Sequence, residues 1–156
     1  MTKVRAVRWR RCEHGGVNRI PSAGSTPISA ITGDPVKRVA ADATVVDVAK
    51  ALVAGEVGAI VVGDDEQPAA LVSERDVVRL LATGTDPAVV RAVDVASTKL
   101  VWCDAEATVD AVAVRMMDRY IRHVLVERDG ALVGIVSARD LLGVYCAEAD
   151  LDSGST

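Results

Sequence analysis

Apolar residues recur at helical spacing in two places along the chain. After Thr44 they fall at Val45, Val48, Ala49, Leu52 and Val53; after Thr108 they fall at Val109, Val112, Ala113, Met116 and Met117. Each run predicts an amphipathic helix with a threonine N-cap. Asp47 stands three residues beyond Thr44 and completes a capping-box pair, whereas Asp110 comes one residue too early after Thr108. Short β-branched runs follow, Ala59–Val62 and Val124–Val126, and each leads into a polar turn. The turns are Gly63-Asp-Asp-Glu-Gln-Pro68 and Glu127-Arg-Asp-Gly130, the second carrying an Asp-Gly hairpin signal. A second strand is expected over Ala69–Ser73 and Leu132–Ser137, and a second helix from near Arg75 and Arg139. The first of these helices should stop at Thr83-Gly84, where glycine can take the left-handed cap.

These two passages are copies of one another. Residues 42–80 align with 106–144 at a constant offset of 64, Leu71-Val-Ser-Glu-Arg-Asp76 lying over Ile135-Val-Ser-Ala-Arg-Asp140. The lead-in Ser29–Val36 resembles Asp94–Val101 at an offset of 65, which places one extra residue in the first copy before Asp42. Each copy reads as lead-in, helix, strand, turn, strand, helix, an α/β or α+β arrangement. Two repeats of this kind should bury a common face. The expected organisation is a basic N-terminal segment over 1–25, a first repeat over 26–83, a linker over 84–93, a second repeat over 94–147 and a frayed tail over 148–156.

Composition narrows the chemistry. The 156 residues include no Phe, two Trp and two Tyr, so the core must be aliphatic and an aromatic platform for single-stranded nucleic acid is excluded. The formal net charge is −4, but residues 1–26 carry six basic side chains against Glu13, which leaves a body of about −9. So acidic a body does not suit a phosphate backbone, and no nucleic-acid partner is expected. Three cysteines without a CxxC pair, no apolar run long enough for a membrane span and no signal-type N-terminus point to a cytoplasmic protein with reduced thiols.

The repeated Ser-x-x-Asp carries the candidate chemistry. Ser73 with Asp76, and Ser137 with Asp140, stand where a strand passes into a helix. A helix N-terminus suits phosphate, and a carboxylate one turn in can accept both hydroxyls of a ribose. Arg75 and Arg139 could reach a phosphate or a partner carboxylate. The same spacing is also a plain capping box, and a duplicated fold duplicates its caps.

The whole pattern resembles tandem CBS (cystathionine-β-synthase-type) domains. The features are the lead-in Ile31-Thr-Gly-Asp-Pro-Val36, the helix openings Ala43-Thr-Val45 and Ala107-Thr-Val109, and the closing motif of Gly, an apolar residue and Ser-x-x-Asp. Gly134-Ile-Val-Ser-Ala-Arg-Asp140 fits that motif fully; Ala70-Leu-Val-Ser-Glu-Arg-Asp76 lacks the Gly. The resemblance implies a pseudo-two-fold pair with two clefts, a flat homodimer, and binding of AMP, ADP, ATP, NAD or S-adenosylmethionine. It implies ribose contacts from Asp76 and Asp140, with Ser73 and Ser137 on phosphate or ribose. The adenine would be walled by lead-ins around Thr32 and Val36 and around Ser97 and Val101. Gly58, Ala59 and Ile60, and Arg122, His123 and Val124, would complete the walls. Many relatives carry Pro where Val61 and Leu125 stand, and the Gly134–Asp140 cleft has the more complete motif.

Other features carry less. His123 beside Arg122 reads either as a phosphate contact or as an edge residue with a local hydrogen bond, and it would be one-sided, because Gly58-Ala59 stands at the matching place. Cys12-Glu-His14 offers too few ligands for zinc. No nucleophile–base pair and no P-loop is present, so no catalysis is expected. Val4–Arg11, with Trp9 inside it, could touch nucleic acid or an acidic partner, or be an unstructured leader, the reading favoured because nothing downstream supports a nucleic-acid fold. Cys103 and Cys146 read as small apolar fillers and Met116 and Met117 as core. The expected function is a regulatory sensor of an adenosyl ligand that signals to a separate effector protein. The alternative is a ligand-free oligomerisation module of the same fold.

Overall fold

The computed structural model describes residues 22–32, 35–66 and 68–153. The first repeat contains β1 (Arg38–Val39), α1 (Val45–Ala54), β2 (Ala59–Val62), β3 (Ala70–Ser73) and α2 (Glu74–Ala82). A short helix, α3 (Ala92–Val95), precedes the second repeat. That repeat contains β4 (Trp102–Asp104), α4 (Val109–Arg119), β5 (His123–Arg128), β6 (Ala131–Ser137) and α5 (Ala138–Ser153). Each repeat holds one three-stranded sheet, β1-β2-β3 or β4-β5-β6. In both the first pair is parallel and the second antiparallel. The fold is the mixed α/β class expected from the pattern.

Local chemistry sets the element ends. The Thr44 side chain accepts from the Asp47 amide while the Asp47 carboxylate accepts from Thr44, and the hydroxyl lies 2.7 Å from Asp47 Oδ2. Those hydrogen bonds hold the Asp47 carboxyl below its ordinary range. Thr108 caps α4 through the Ala111 amide alone. Asp129 (φ 53°) and Gly130 (φ 78°) are both left-handed, as a tight hairpin requires, and Gly84 (φ 77°) follows α2.

Each sheet carries its own helices on one face, and the cores are separate. Ile60, Val62 and Val72 pack with Val48 and Leu52, while Val124, Val126 and Val136 pack with Val109, Val112 and Met116. Alternation turns Val61 and Leu125 to the opposite faces, yet they are 0% and 1% exposed. Both faces of each central strand are therefore covered, as expected of two repeats that bury a common face.

The repeats are joined by exchange of their lead-ins. The Ile28 amide donates to Ala107 O (2.9 Å), that of Ser29 to Ala105 O (2.8 Å), and that of Val109 to Thr26 O (3.0 Å). Sixty-four residues on, the Ala92 amide donates to Ala43 O (2.7 Å), that of Val93 to Ala41 O (3.2 Å), and that of Val45 to Val90 O (2.9 Å). Ile28 is buried in the second repeat's core and Ala92 in the first's. Residues 90–93 are thus structural parts of a repeat, not linker.

Several expectations are corrected. The offset of 65 in the lead-ins does not hold. Lys37 O receives the Val61 amide and Val101 O the Leu125 amide, so the offset stays at 64 and no residue is inserted. Met117 is 76% and Val53 80% exposed, because each sits on the outer edge of its helix's apolar stripe. Cys146 is exposed, whereas Cys103 is buried and its thiol is pushed up by burial. α5 runs to Ser153, so residues 149–153, expected in the tail, are helical. The basic stretch Val4–Arg11 and Cys12-Glu-His14 lie outside the described residues.

Because Ile28 is fully buried in the opposite repeat, Ile28→Ala should cost about 2–5 kcal/mol, read as a lower urea midpoint. A cost below about 1 kcal/mol would show that the lead-in is not part of the second core.

Candidate functional site

Where β3 runs into α2, the Ser73 amide donates to Asp76 Oδ2 at 2.9 Å and the Ser73 hydroxyl to the same oxygen at 2.6 Å. Asp76 Oδ1 receives only a long contact from Arg79, 3.4 Å. At the start of α5, the Ser137 amide and hydroxyl both donate to Asp140 Oδ2 at 2.7 Å. The capping-box reading is therefore correct for both motifs. It engages Oδ2 of each carboxylate and both serine hydroxyls. Asp76 is half-buried and Asp140 exposed.

A cleft of about 120 Å³ opens at Asp76. One wall is the second lead-in, from Ser97 through Lys99 to Val101, and another is Ile121, Arg122 and His123 at the entry to β5. Leu71 and Leu125, one from each sheet, form the apolar floor. Ser97 is fixed there by paired backbone hydrogen bonds with Leu71, 2.8 and 3.0 Å. Asp76 of the first repeat thus meets the lead-in and β5 entry of the second, which no single repeat could arrange.

Thr32 packs on Gly134, whose missing side chain makes room: a Cβ there would lie 2.9 Å from Thr32 Cβ. Gly134 thus seats the first lead-in. Val36 is half-buried and Arg139 exposed. Arg75 reaches across the repeats, its Nη1 3.5 Å from Tyr120 O. Ile60 and Val124 are not brought to a cleft; alternation turns both into the helix-side cores. Ala59 is buried opposite Ser73. Lys99, Leu100, Ile121 and Leu71 were missed from the sequence. Strand alternation could have singled out Leu125 in place of Val124, and register from Asp76 could have found Leu71.

His123 crosses the junction. Its Nε2 lies 2.9 Å from where a Gly58 Cβ would be, and Glu74 Oε2 is also close to that point. Burial chiefly, then the Arg122 charge, hold the imidazole below its ordinary value; Glu74 and Asp140 oppose this, and Arg75 adds to it. Among the described residues no cluster of His, Cys, Asp and Glu could hold a metal ion, and no helix is long and apolar enough to cross a membrane.

Two small sheets with exchanged lead-ins and a cleft between them define a tandem-repeat module. The chain belongs to the CBS domain family, whose pattern matches residues 28–83 and 91–146. It is 30% identical over 117 residues to an uncharacterised protein, MK0525, of Methanopyrus kandleri, covering 73% of this chain and 57% of that one. It is 32% identical over 88 residues to hypoxic response protein 1 of Mycobacterium tuberculosis, covering 55% of this chain and 62% of that one. The chain therefore matches only about three-fifths of either relative's length. Among solved structures it resembles the CBS domain protein PAE2072 from Pyrobaculum aerophilum complexed with AMP, with 30% identity and a TM-score of 0.69. That likeness covers 80% of this chain and 99% of the other.

A half-buried imidazole that takes up its proton less readily in the folded than in the unfolded chain makes stability rise with pH. The folded His123 value lies below the unfolded one, so stability should fall as pH drops from about 7 through the ordinary histidine value of about 6.5 and below. Denaturant melts of wild type and His123→Gln between pH 7 and 5 should show the shallower slope in the variant. Equal slopes would show that His123 is not desolvated.

Proposed function

We propose that the chain is a regulatory binding module, not a catalyst, that takes an adenosyl ligand in the clefts between its repeats. The carrying observation is the cleft at Asp76. A carboxylate with one oxygen fixed by the cap and the other in a long contact with Arg79 lines a slot that is completed by the opposite repeat. Such a carboxylate accepts ribose hydroxyls and such a slot accepts a flat base. The AMP bound by the Pyrobaculum aerophilum protein supports this class of ligand. At about 120 Å³ the cleft is smaller than the roughly 300 Å³ or more of a typical ligand site. A nucleotide must therefore shift a lead-in or part the repeats. That differential affinity between two arrangements is what a sensor needs to signal to an effector protein.

A second reading rests on a different surface. An apolar groove of about 550 Å³ between α1 and α2 is lined by Val46, Val53, Val77, Leu81 and Pro87. Leu81 is 53% exposed. In the second repeat Asp110 and Tyr145 take the places of Val46 and Leu81. The Tyr145 hydroxyl donates to Asp110 Oδ1 at 2.5 Å, which pushes the phenol up to about 12. The unsealed groove fits self-association into a homodimer, which the first reading also accommodates.

Thermal melts against AMP, ADP, ATP, NAD and S-adenosylmethionine separate the two. At free ligand about 100-fold above Kd, stability should rise by about 2.7 kcal/mol. The rise should shrink in Asp76→Asn or Asp140→Asn, which keep a capping oxygen. No rise with any compound, from a folded protein whose dimer is lost in Leu81→Asp, would favour the oligomerisation module.

A further inference from the structure

One side chain crosses between the repeats where β2 and β5 begin, and the duplication does not repeat it. His123 opens β5 of the second repeat, yet its imidazole lies on Gly58 of the first. A Cβ at Gly58 would stand 2.9 Å from Nε2 and 3.2 Å from Cε1. At the matching places are Ala59 and Arg122, so no ring crosses in the other direction. The imidazole is half-buried and also walls the Asp76 cleft. Charged groups face it from each element around it. Arg122 is its neighbour, Glu74 and Arg75 open α2, Asp140 stands in the first turn of α5, and Asp76 and Lys99 share its cleft. The three acids and three bases offset one another, so the loss of water decides which charge state the site accepts.

We propose that His123 is a pH-sensitive latch between the repeats: neutral, it packs on Gly58 and holds this edge shut; protonated, it leaves Gly58 for water and parts the repeats there. An imidazolium seated on Gly58 is cut off from water with no net opposite charge beside it, whereas the same cation lifted from Gly58 is hydrated. The reluctance of the seated ring to take a proton agrees with this. A polar tie across the same edge, Arg75 Nη1 to Tyr120 O, is long at 3.5 Å and offers little resistance. The exchanged lead-ins keep the repeats joined, so the movement opens one edge and does not separate the pair. Because Arg122 and His123 also wall the Asp76 cleft, that cleft widens as pH falls through the ordinary histidine value of about 6.5. The latch goes beyond the adenosyl-ligand reading and stands whether or not a ligand binds.

Distances between paired spin labels on the full, ligand-free chain test this. Ala54→Cys and Asp118→Cys place the labels at matching, exposed positions late in α1 and α4, with Cys12, Cys103 and Cys146 replaced by alanine. Excess unlabelled chain restricts the reading to distances within one chain. A second, longer distance should grow several-fold in population between about pH 7.5 and about pH 5.5, a window above the ordinary carboxylate values. Neither His123→Gln nor His123→Ala, which copies the counterpart Ala59, should show that growth. His14 is retained in both variants and is thereby separated from His123 as the source. Glu74→Gln removes a carboxylate that favours the charged ring, so its longer-distance population at about pH 5.5 should exceed that of the wild type. An unchanged distance across this window in the unsubstituted His123 chain, or growth that persists in both His123 variants, would overturn the latch and leave the adenosyl reading standing.

Discussion

The structure depends on the exchange of lead-ins. A lone repeat would leave a three-stranded sheet with one bare face and a core open at one end. Ile28 closes the second core and Ala92 the first, through the same three backbone hydrogen bonds at an offset of 64. Because each lead-in arrives from the other repeat, neither core is complete alone, and the sheets are held with Val61 and Leu125 buried between their outer faces. Each core is thus completed only in the pair.

The cleft follows from the same constraint. A lead-in that packs on the opposite repeat must pass the strand-to-helix corner of that repeat, where the cap stands. Ser97, two residues past the end of α3, bonds to Leu71, which brings Lys99 and Val101 past Asp76. Ser73 and Asp76 hold the corner rigidly, so the cap that ends a strand also fixes a carboxylate at a cleft. Ser-x-x-Asp is a capping box in both repeats, and in the first the same geometry sets its carboxylate at a cleft.

Duplication gave two such corners, and side-chain divergence has made them unlike. Gly134 admits Thr32 closely, while Ala70, buried in the first core, stands at the matching place. Tyr145 and Asp110 seal one helix groove, while Leu81 and Val46 leave its counterpart apolar. His123 over Gly58 is the sharpest case: one repeat's side chain occupies the space that the other's glycine leaves.

The sequence by itself determined the elements, their order and their duplication. Helical spacing, threonine caps, the Asp-Gly hairpin and the constant offset are local signals, set by backbone sterics and nearest-neighbour hydrogen bonds, and they place Ser73, Asp76, Ser137 and Asp140 at corners. It could not show that Ile28 belongs to the second core, that Met117 and Cys146 face outward, that Ile60 and Val124 turn from the cleft, or that the lead-ins keep the offset of 64. Those depend on which face of one repeat meets the other, and contacts between residues tens of positions apart leave no local period to read. Tertiary structure alone decided that Lys99, Arg122 and Asp76 share one cleft, because the exchange that joins them is a property of the pair.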